Sequence, residues 1–196
     1  MPEPEEIKQF EFRVIAGSLK GRKIVAPDLG ITRPPLTRLR KSIFDYLMPY
    51  IRDASYLDLF SGTGSYLFEA VSRGAARAEG VELEPRLADS INAQAARYGV
   101  SDRMNCLCDD LFKAVPKLAA TGKKFDIVMM APPQYQGLVD RTLKLLYRHP
   151  LTGPDSRIIC QHDTSETDEI GFRGFKLLQQ RKYGNTTFTV LSGKGS

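Results

Sequence analysis

The chain has 196 residues, is 42% hydrophobic and 26% charged, and carries a formal net charge of +5. At ~150 residues per domain this is one domain plus an appendage, and the proportions exclude a collagen, a coiled coil and wholesale disorder. No stretch reaches the ~18 apolar residues that span a bilayer, and the start Met1-Pro-Glu-Pro-Glu-Glu6 is acidic where a targeting peptide is basic, so a cytoplasmic protein without a membrane partner is expected.

Residues 1–9 read as a loose tail. Two short strands, 10–16 and 22–26, flank Gly17-Ser-Leu-Lys-Gly21, whose glycines supply the positive φ angles of a tight reversal. This hairpin and the Pro/Gly-broken connection after it make a basic appendage over 10–32. The main domain is 33–191. It opens with a helix over 35–48, stopped by Pro49. At about 100° per residue, Leu36, Leu39, Ile43 and Leu47 share its apolar stripe, with Arg40 set among them and Arg38 opposite. Strands over 56–60, 78–83, 105–108, 125–130 and 157–161 then alternate with helices over 66–72, 85–98, 111–120 and 138–148. That alternation predicts an α/β fold, a parallel sheet covered on both faces. Strands over 175–183 and 186–191, joined at Gly184-Asn185, form a closing hairpin, and 192–196 reads as a disordered tail.

The charge is unevenly spread. Between residues 13 and 41 stand Arg13, Lys20, Arg22, Lys23, Arg33, Arg38, Arg40 and Lys41 against Asp28 alone. Residues 171–196 add five cations and no acid, while 42–170 is net acidic at −4. A one-sided basic field draws polyanions, so the eight cations of the first stretch are candidate nucleic-acid contacts. Arg40 has two readings: a guanidinium on an apolar stripe either snorkels past the helix end or reaches the mouth of a site to meet a phosphate or an acid. The cysteines Cys106, Cys108 and Cys160 make no disulfide framework, and neither they nor His149 and His162 have metal-ligand spacing, so no metal is expected.

The strongest chemical signal is Leu57-Asp58-Leu-Phe60-Ser-Gly62-Thr-Gly64, which ends the first strand of the main domain and opens a helix. In doubly wound sheets ligands bind at such turns, and bare backbone at Gly62 and Gly64 admits a close approach. The dinucleotide fingerprint needs a third glycine at position 67, which is Leu67, and no acid at its start. Asp58 suits a cationic amino group better than a pyrophosphate, which points to S-adenosylmethionine. Glu82 and Leu83 stand at the tip of the second strand, with the Glu82 carboxylate placed to accept ribose hydroxyls. Asp109 and Asp110 follow the third, where a carboxylate can accept the adenine amino hydrogens; Asp110 also reads as a helix cap. Together Asp58, Phe60, Gly62, Gly64, Glu82, Leu83, Asp109 and Asp110 form the expected cofactor set.

The chain resembles the bacterial small-subunit ribosomal RNA guanine-N2 methyltransferase family over about residues 13–191. The resemblance rests on Arg13-Val-Ile-Ala-Gly17, Gly21-Arg-Lys23, Arg33-Pro34 with Arg38-Leu-Arg40, the loop from Asp58 to Gly64, Pro132-Pro133 with Gly137, and Tyr183-Gly-Asn-Thr-Thr187. It implies a Rossmann-like S-adenosylmethionine-dependent methyltransferase fold. The sheet would be mostly parallel, with seven strands in the order 3-2-1-4-5-7-6 and an antiparallel C-terminal hairpin. It also implies action on ribosomal RNA, naked or within a partly assembled small subunit; a monomer is the expected state. Two departures stand out. Where the family has Asp-Pro-Pro followed by Phe or Tyr, this chain has Ala131-Pro132-Pro133-Gln134-Tyr135, and Lys41 follows Arg40 where the family has Glu.

These five residues are the candidate catalytic set. A guanine amine is a weak nucleophile that must be held in line with the methyl donor, among acceptors that favour the growing positive charge. Ala131 has no side-chain acceptor. Its backbone carbonyl and that of Pro132 remain, Gln134 offers an amide oxygen, and Tyr135 offers a ring to stack on the base. Three other readings stay open. One is a methylase of another amine, in DNA adenine or protein glutamine, although those families favour Asn before Pro-Pro. Another is a non-catalytic RNA-binding or assembly factor on a methylase scaffold. The weakest, a nucleotide-linked dehydrogenase, meets Leu67 in place of its third glycine.

Overall fold

The computed structural model describes residues 8–30 and 36–193. Arg33 and most of the expected tails lie outside the described residues. The hairpin pairs β1 (Gln9–Arg13) with β2 (Lys23–Pro27) antiparallel, Gln9 opposite Pro27 and Arg13 opposite Lys23. Gln9 therefore belongs to a strand, not to the tail. After α1 (Thr37–Leu47) come β3 (Ser55–Asp58), α2 (Ser65–Ser72), β4 (Arg77–Glu82), α3 (Pro85–Arg97), β5 (Met104–Cys108) and α4 (Leu111–Ala120). The chain continues through β6 (Phe125–Met130), α5 (Leu138–Arg148) and β7 (Thr152–Asp163), a 3-10 helix at Thr164–Glu169, then β8 (Leu177–Tyr183) and β9 (Thr186–Ser192).

The sheet runs β5-β4-β3-β6-β7-β9-β8, parallel except where β9 joins β7 and β8. This is the strand order implied by the resemblance. Alternate side chains sort to opposite faces, as a strand period of two requires. Ile127 and Met129 of β6 pack with α1, α2 and α3, whereas Val128 and Met130 pack with α4 and α5. A sheet so covered has no polar face, hence the continuous apolar runs that mark its strands.

The hairpin is not a free appendage. Phe12, Val14, Leu19 and Ile24 belong to the same core cluster as α1 and α2. The Glu69 carboxylate accepts from the N–H groups of Ile15 and Ala16 at 2.9 and 3.1 Å, and the N–H of Ser18 donates to the Ser72 carbonyl at 2.8 Å. Gly17 makes this approach possible: a Cβ there would lie 1.8 Å from the Ser72 carbonyl oxygen.

Several expectations need correction. Leu36 is 69% exposed and precedes α1, so the buried stripe begins at Leu39. Strand β7 is longer than the predicted 157–161, and the 3-10 helix after it has no predicted counterpart; a capping box at Asp163, with Glu166 as its partner, starts that helix. The last strand extends to Ser192, and the Gly193 N–H donates to Ser156, so both residues are placed in what read as a tail.

Arg40 is the largest correction. It is 1% exposed, neither snorkelling nor facing an RNA. Its Nη2 donates to the Arg13 carbonyl at 2.6 Å, its Nε lies 3.9 Å from Glu69, and its guanidinium sits 5.0 Å from the Phe12 ring centre. Burial pulls its pKa below the ordinary value and Glu69 opposes that shift. Arg40 and Glu69 together clasp the hairpin to the domain.

Candidate active site

A cavity of about 900 Å³ opens at the carboxyl ends of β3, β4, β5 and β6. Strand β3 has β4 on one side and β6 on the other, so the chain reverses direction here and the loops diverge to leave a crevice. The structure brings Phe60, Gly62, Glu82, Leu83, Asp109 and Asp110 to one wall and Ala131, Pro132, Pro133 and Gln134 to the other.

The loop after β3 is held by its own backbone. Leu59 N–H donates to Met129 at 2.9 Å and Ser61 N–H to Val81 at 3.0 Å, while Gly62 and Gly64 take φ of 50° and 77°. Glu82 secures it from below: one carboxylate oxygen accepts from Gly62 N–H at 2.7 Å, the other from Glu84 N–H at 2.9 Å. A carboxylate has about four lone-pair sites, so two remain for hydroxyls in the cavity.

Asp58 does not line the cavity. It is fully buried beneath the loop, where one oxygen accepts from Phe60 N–H at 3.2 Å and the other has no partner among the described residues. Burial raises its pKa to about 7; the Phe60 N–H opposes this and the Glu82 charge adds to it. An unpartnered buried acceptor leaves the loop with an unmet preference for positive charge. Gly64 also stands outside the cavity. A Cβ there would lie 2.8 Å from Ile91, so its bareness serves helix packing, not ligand approach.

Asp109 pairs with Lys117 at 2.7 Å, which holds its carboxyl below the usual carboxylate range. Asp110 caps α4, accepting from Phe112 N–H at 2.7 Å, and still borders the cavity. Beside them Phe112 presents its ring with the Arg141 guanidinium 4.8 Å from its centre. The cavity's acids and bare loop, with the buried Asp58 carboxyl beneath them, fit a cationic, ribose-bearing ligand such as S-adenosylmethionine.

On the opposite wall Tyr135 departs from expectation. It takes a φ of 63°, is 70% exposed, and sends its hydroxyl away from the cavity to Asp163. Its ring therefore lies outside the cavity wall, on the surface beside it. Sequence reasoning also missed Phe112 and Gln161 as wall residues. Gln161 carried a usable signal, because it ends a predicted strand on the edge where parallel sheets bind ligands.

The expected nucleic-acid residues fall into groups. Arg13, Lys20, Arg22 and Lys23 are exposed on the hairpin, and Arg38 and Lys41 on α1. Lys23 pairs with Glu11 and Lys41 with Asp45. No described helix is long and apolar enough to cross a membrane.

The sheet order and this cavity define a Rossmann-like S-adenosylmethionine-dependent methyltransferase fold. The chain belongs to the family described as Conserved hypothetical protein 95, matched over residues 12–192. It is similar to Ribosomal RNA small subunit methyltransferase D of Escherichia coli K12, 33% identical over 74% of this chain and 72% of that protein. The protein of the same name from Haemophilus influenzae is 30% identical over 92% of this chain and 93% of that one. The solved structure of the Escherichia coli protein yhhF superposes with a TM-score of 0.84 at 24% identity, covering 95% of this chain and all of that one.

Proposed function

We propose that this chain transfers a methyl group from S-adenosylmethionine to the exocyclic N2 amine of a guanine in small-subunit ribosomal RNA. Its family places it among S-adenosylmethionine-dependent ribosomal RNA methyltransferases. The observation that carries the finer reading is one cavity with acids at the tips of β4 and β5 on one side and Ala131-Pro132-Pro133-Gln134 on the other.

Bound S-adenosylmethionine supplies a methyl group on a positively charged sulfur. Glu82 and the bare backbone at Gly62 orient it, and Asp109 or Asp110 meets the adenine. The carbonyls of Ala131 and Pro132 and the amide oxygen of Gln134 accept from the guanine NH₂ and favour the charge that grows on nitrogen. Holding that nitrogen in line with the methyl is the larger part of the task, because the lone pair is delocalised into the ring. Chemistry on a base needs the base flipped out or already unpaired, so an RNA loop is the natural target. Arg13, Lys20, Arg22 and Lys23 on the hairpin and Arg38 and Lys41 on α1 hold its backbone.

The test is transfer of labelled methyl to small-subunit RNA, followed by digestion to nucleosides. Label in N2-methylguanosine supports the proposal; label in N6-methyladenosine, or on protein, overturns it. One observation favours a second reading. Ala131 lacks a side-chain acceptor and the Tyr135 hydroxyl is turned to Asp163, which suits an RNA-binding factor that no longer transfers methyl groups. Cofactor binding without label in any nucleoside selects that reading.

A further inference from the structure

A second cavity, of about 460 Å³, lies where the hairpin meets the end of α3. Its charged walls are Arg13, Arg22 and Lys23 from the hairpin and Arg97 from α3, with Tyr98 between them. Helix α3 builds it by pairing its own side chains with the open edge of β2. Ser90, Gln94 and Tyr98 recur every four residues and so share one helix face. Ser90 Oγ donates to the Val25 carbonyl at 3.1 Å, Gln94 Oε1 accepts from Val25 N–H at 2.7 Å, and the Tyr98 hydroxyl donates to the Lys23 carbonyl. The hairpin and α3 therefore form one rigid wall.

On that wall the Arg22 and Arg97 guanidiniums both lie against the Tyr98 ring, 5.8 and 5.7 Å from its centre. Two like charges sharing one ring repel each other, and among the described residues neither is paired with a carboxylate. Arg13 spends one donor on the Gly21 carbonyl and keeps the rest. A concave surface with three guanidiniums and no free acid is matched by a phosphate, whose oxygens take planar N–H forks in pairs.

We infer that this pocket binds a phosphodiester of the substrate RNA, with Arg97 as a contact that the basic hairpin by itself does not provide. The inference rests on the RNA reading given above. Leu87 of α3 lines the large cavity and Arg97 the small one, ten residues apart. At ~1.5 Å per residue the phosphate sits about 15 Å along the helix from the cofactor end. The pocket thus fixes where one backbone phosphate sits relative to the cofactor end of the domain.

The experiment measures the affinity of a small-subunit RNA fragment against salt concentration for the wild type, Arg97→Gln, Arg22→Gln, and Arg22→Gln with Lys23→Gln. Each lost phosphate contact should reduce the log–log slope by about 0.7 to 0.9, which between 1 M and 0.1 M salt is a factor of about five to eight. Arg97→Gln should show that loss, with S-adenosylmethionine affinity at its wild-type value as the check on folding. Arg97→Lys should restore the slope, since it keeps the charge. If Arg97→Gln leaves slope and affinity unchanged while the hairpin variants lower both, the pocket is overturned and the RNA reading stands. If the wild type binds RNA with no salt dependence, both fall.

Discussion

The Tyr135 hydroxyl donates to Asp163 Oδ2 at 2.8 Å, tying the loop after β6 to the end of β7 across 28 residues. The tie coexists with a left-handed backbone at Tyr135, a conformation that costs an aromatic residue about 1–3 kcal/mol and persists only where the surroundings hold it. The consequence is that Gln134, not the tyrosine, faces the cavity. Tyr135 is thus a positioning residue. Tyr135→Phe should lower kcat for RNA by about tenfold, since small misplacement near the reacting atoms is expensive in rate. KM for S-adenosylmethionine should stay constant. Asp163→Asn keeps an acceptor for the tyrosine hydroxyl and should lose less. Equal kcat in all three proteins would show that the tie has no part in positioning.

The acceptor role of Gln134 predicts a reciprocal pair of variants. Gln134→Ala should cut turnover by about 10²-fold, the usual cost of one preorganised hydrogen-bond partner. Ala131→Asp puts a carboxylate acceptor at the start of this loop, and in the Gln134→Ala background it should raise turnover again. Single-turnover methyl transfer measures both. A Gln134→Ala enzyme as fast as the wild type removes the amide from the mechanism.

Asp58 gives a pH dependence whose sign follows from its raised pKa. Its folded-state value of about 7 lies above the unfolded value of 3.8, so the protonated form is favoured on folding. The stability this represents is full below pH ~4 and is lost as pH rises through 7. At about 1.4 kcal/mol per unit, the cost of the buried charge is about 4 kcal/mol at pH 8. Asp58→Asn should therefore melt higher than the wild type at pH 8 in the absence of cofactor, by less at pH 5, and near it at pH 4. A cationic ligand reverses the preference. Binding of S-adenosylmethionine at pH 6.5 should release a proton, seen by calorimetry in buffers of different ionisation heat, and the Asn variant should release none.

Arg40 and Glu69 predict a stability effect separate from RNA binding. Glu69 keeps Arg73 at 2.8 Å when Arg40 is removed, so its charge stays paired and the loss is that of Arg40's own packing and its bond to the Arg13 carbonyl, about 1–3 kcal/mol. Arg40→Ala should lose that much in chemical denaturation, and amide exchange should show the hairpin around Arg13, Ile15 and Ala16 opening first. Arg40→Lys should rescue little, because an ammonium cannot cover the Phe12 ring and reach the Arg13 carbonyl in the same way. A loss under 1 kcal/mol would mean that Arg40 contributes little to holding the hairpin, which Glu69, Ser72 and α3 then hold without it.

Much of this was legible along the chain. Strand β6 and helices α4 and α5 fall at the predicted residues because continuous apolar runs and a 3.6-residue stripe are properties of neighbours in sequence. The acids at strand tips were legible for a related reason: a parallel sheet turns every strand end toward one edge, so Glu82, Asp109 and Asp110 meet whatever the details of packing. The strand order came from family resemblance, not from periodicity.

What the chain could not reveal by itself depends on partners distant in sequence. Arg40 looks the same along the helix whether it meets a phosphate or a buried carboxylate, and only the folded chain brings Glu69 beside it. Gly64 and Gly62 are alike as letters, yet one faces Ile91 and the other the cavity. Tyr135 is carried outward by a backbone angle fixed through Asp163, and Arg97 gains Arg22 as a neighbour only because α3 grips the edge of β2. Local periodicity decides which elements form and which edge carries the acids. Burial and charge neutralisation are settled by contacts between elements, which exist only once the chain has closed on itself.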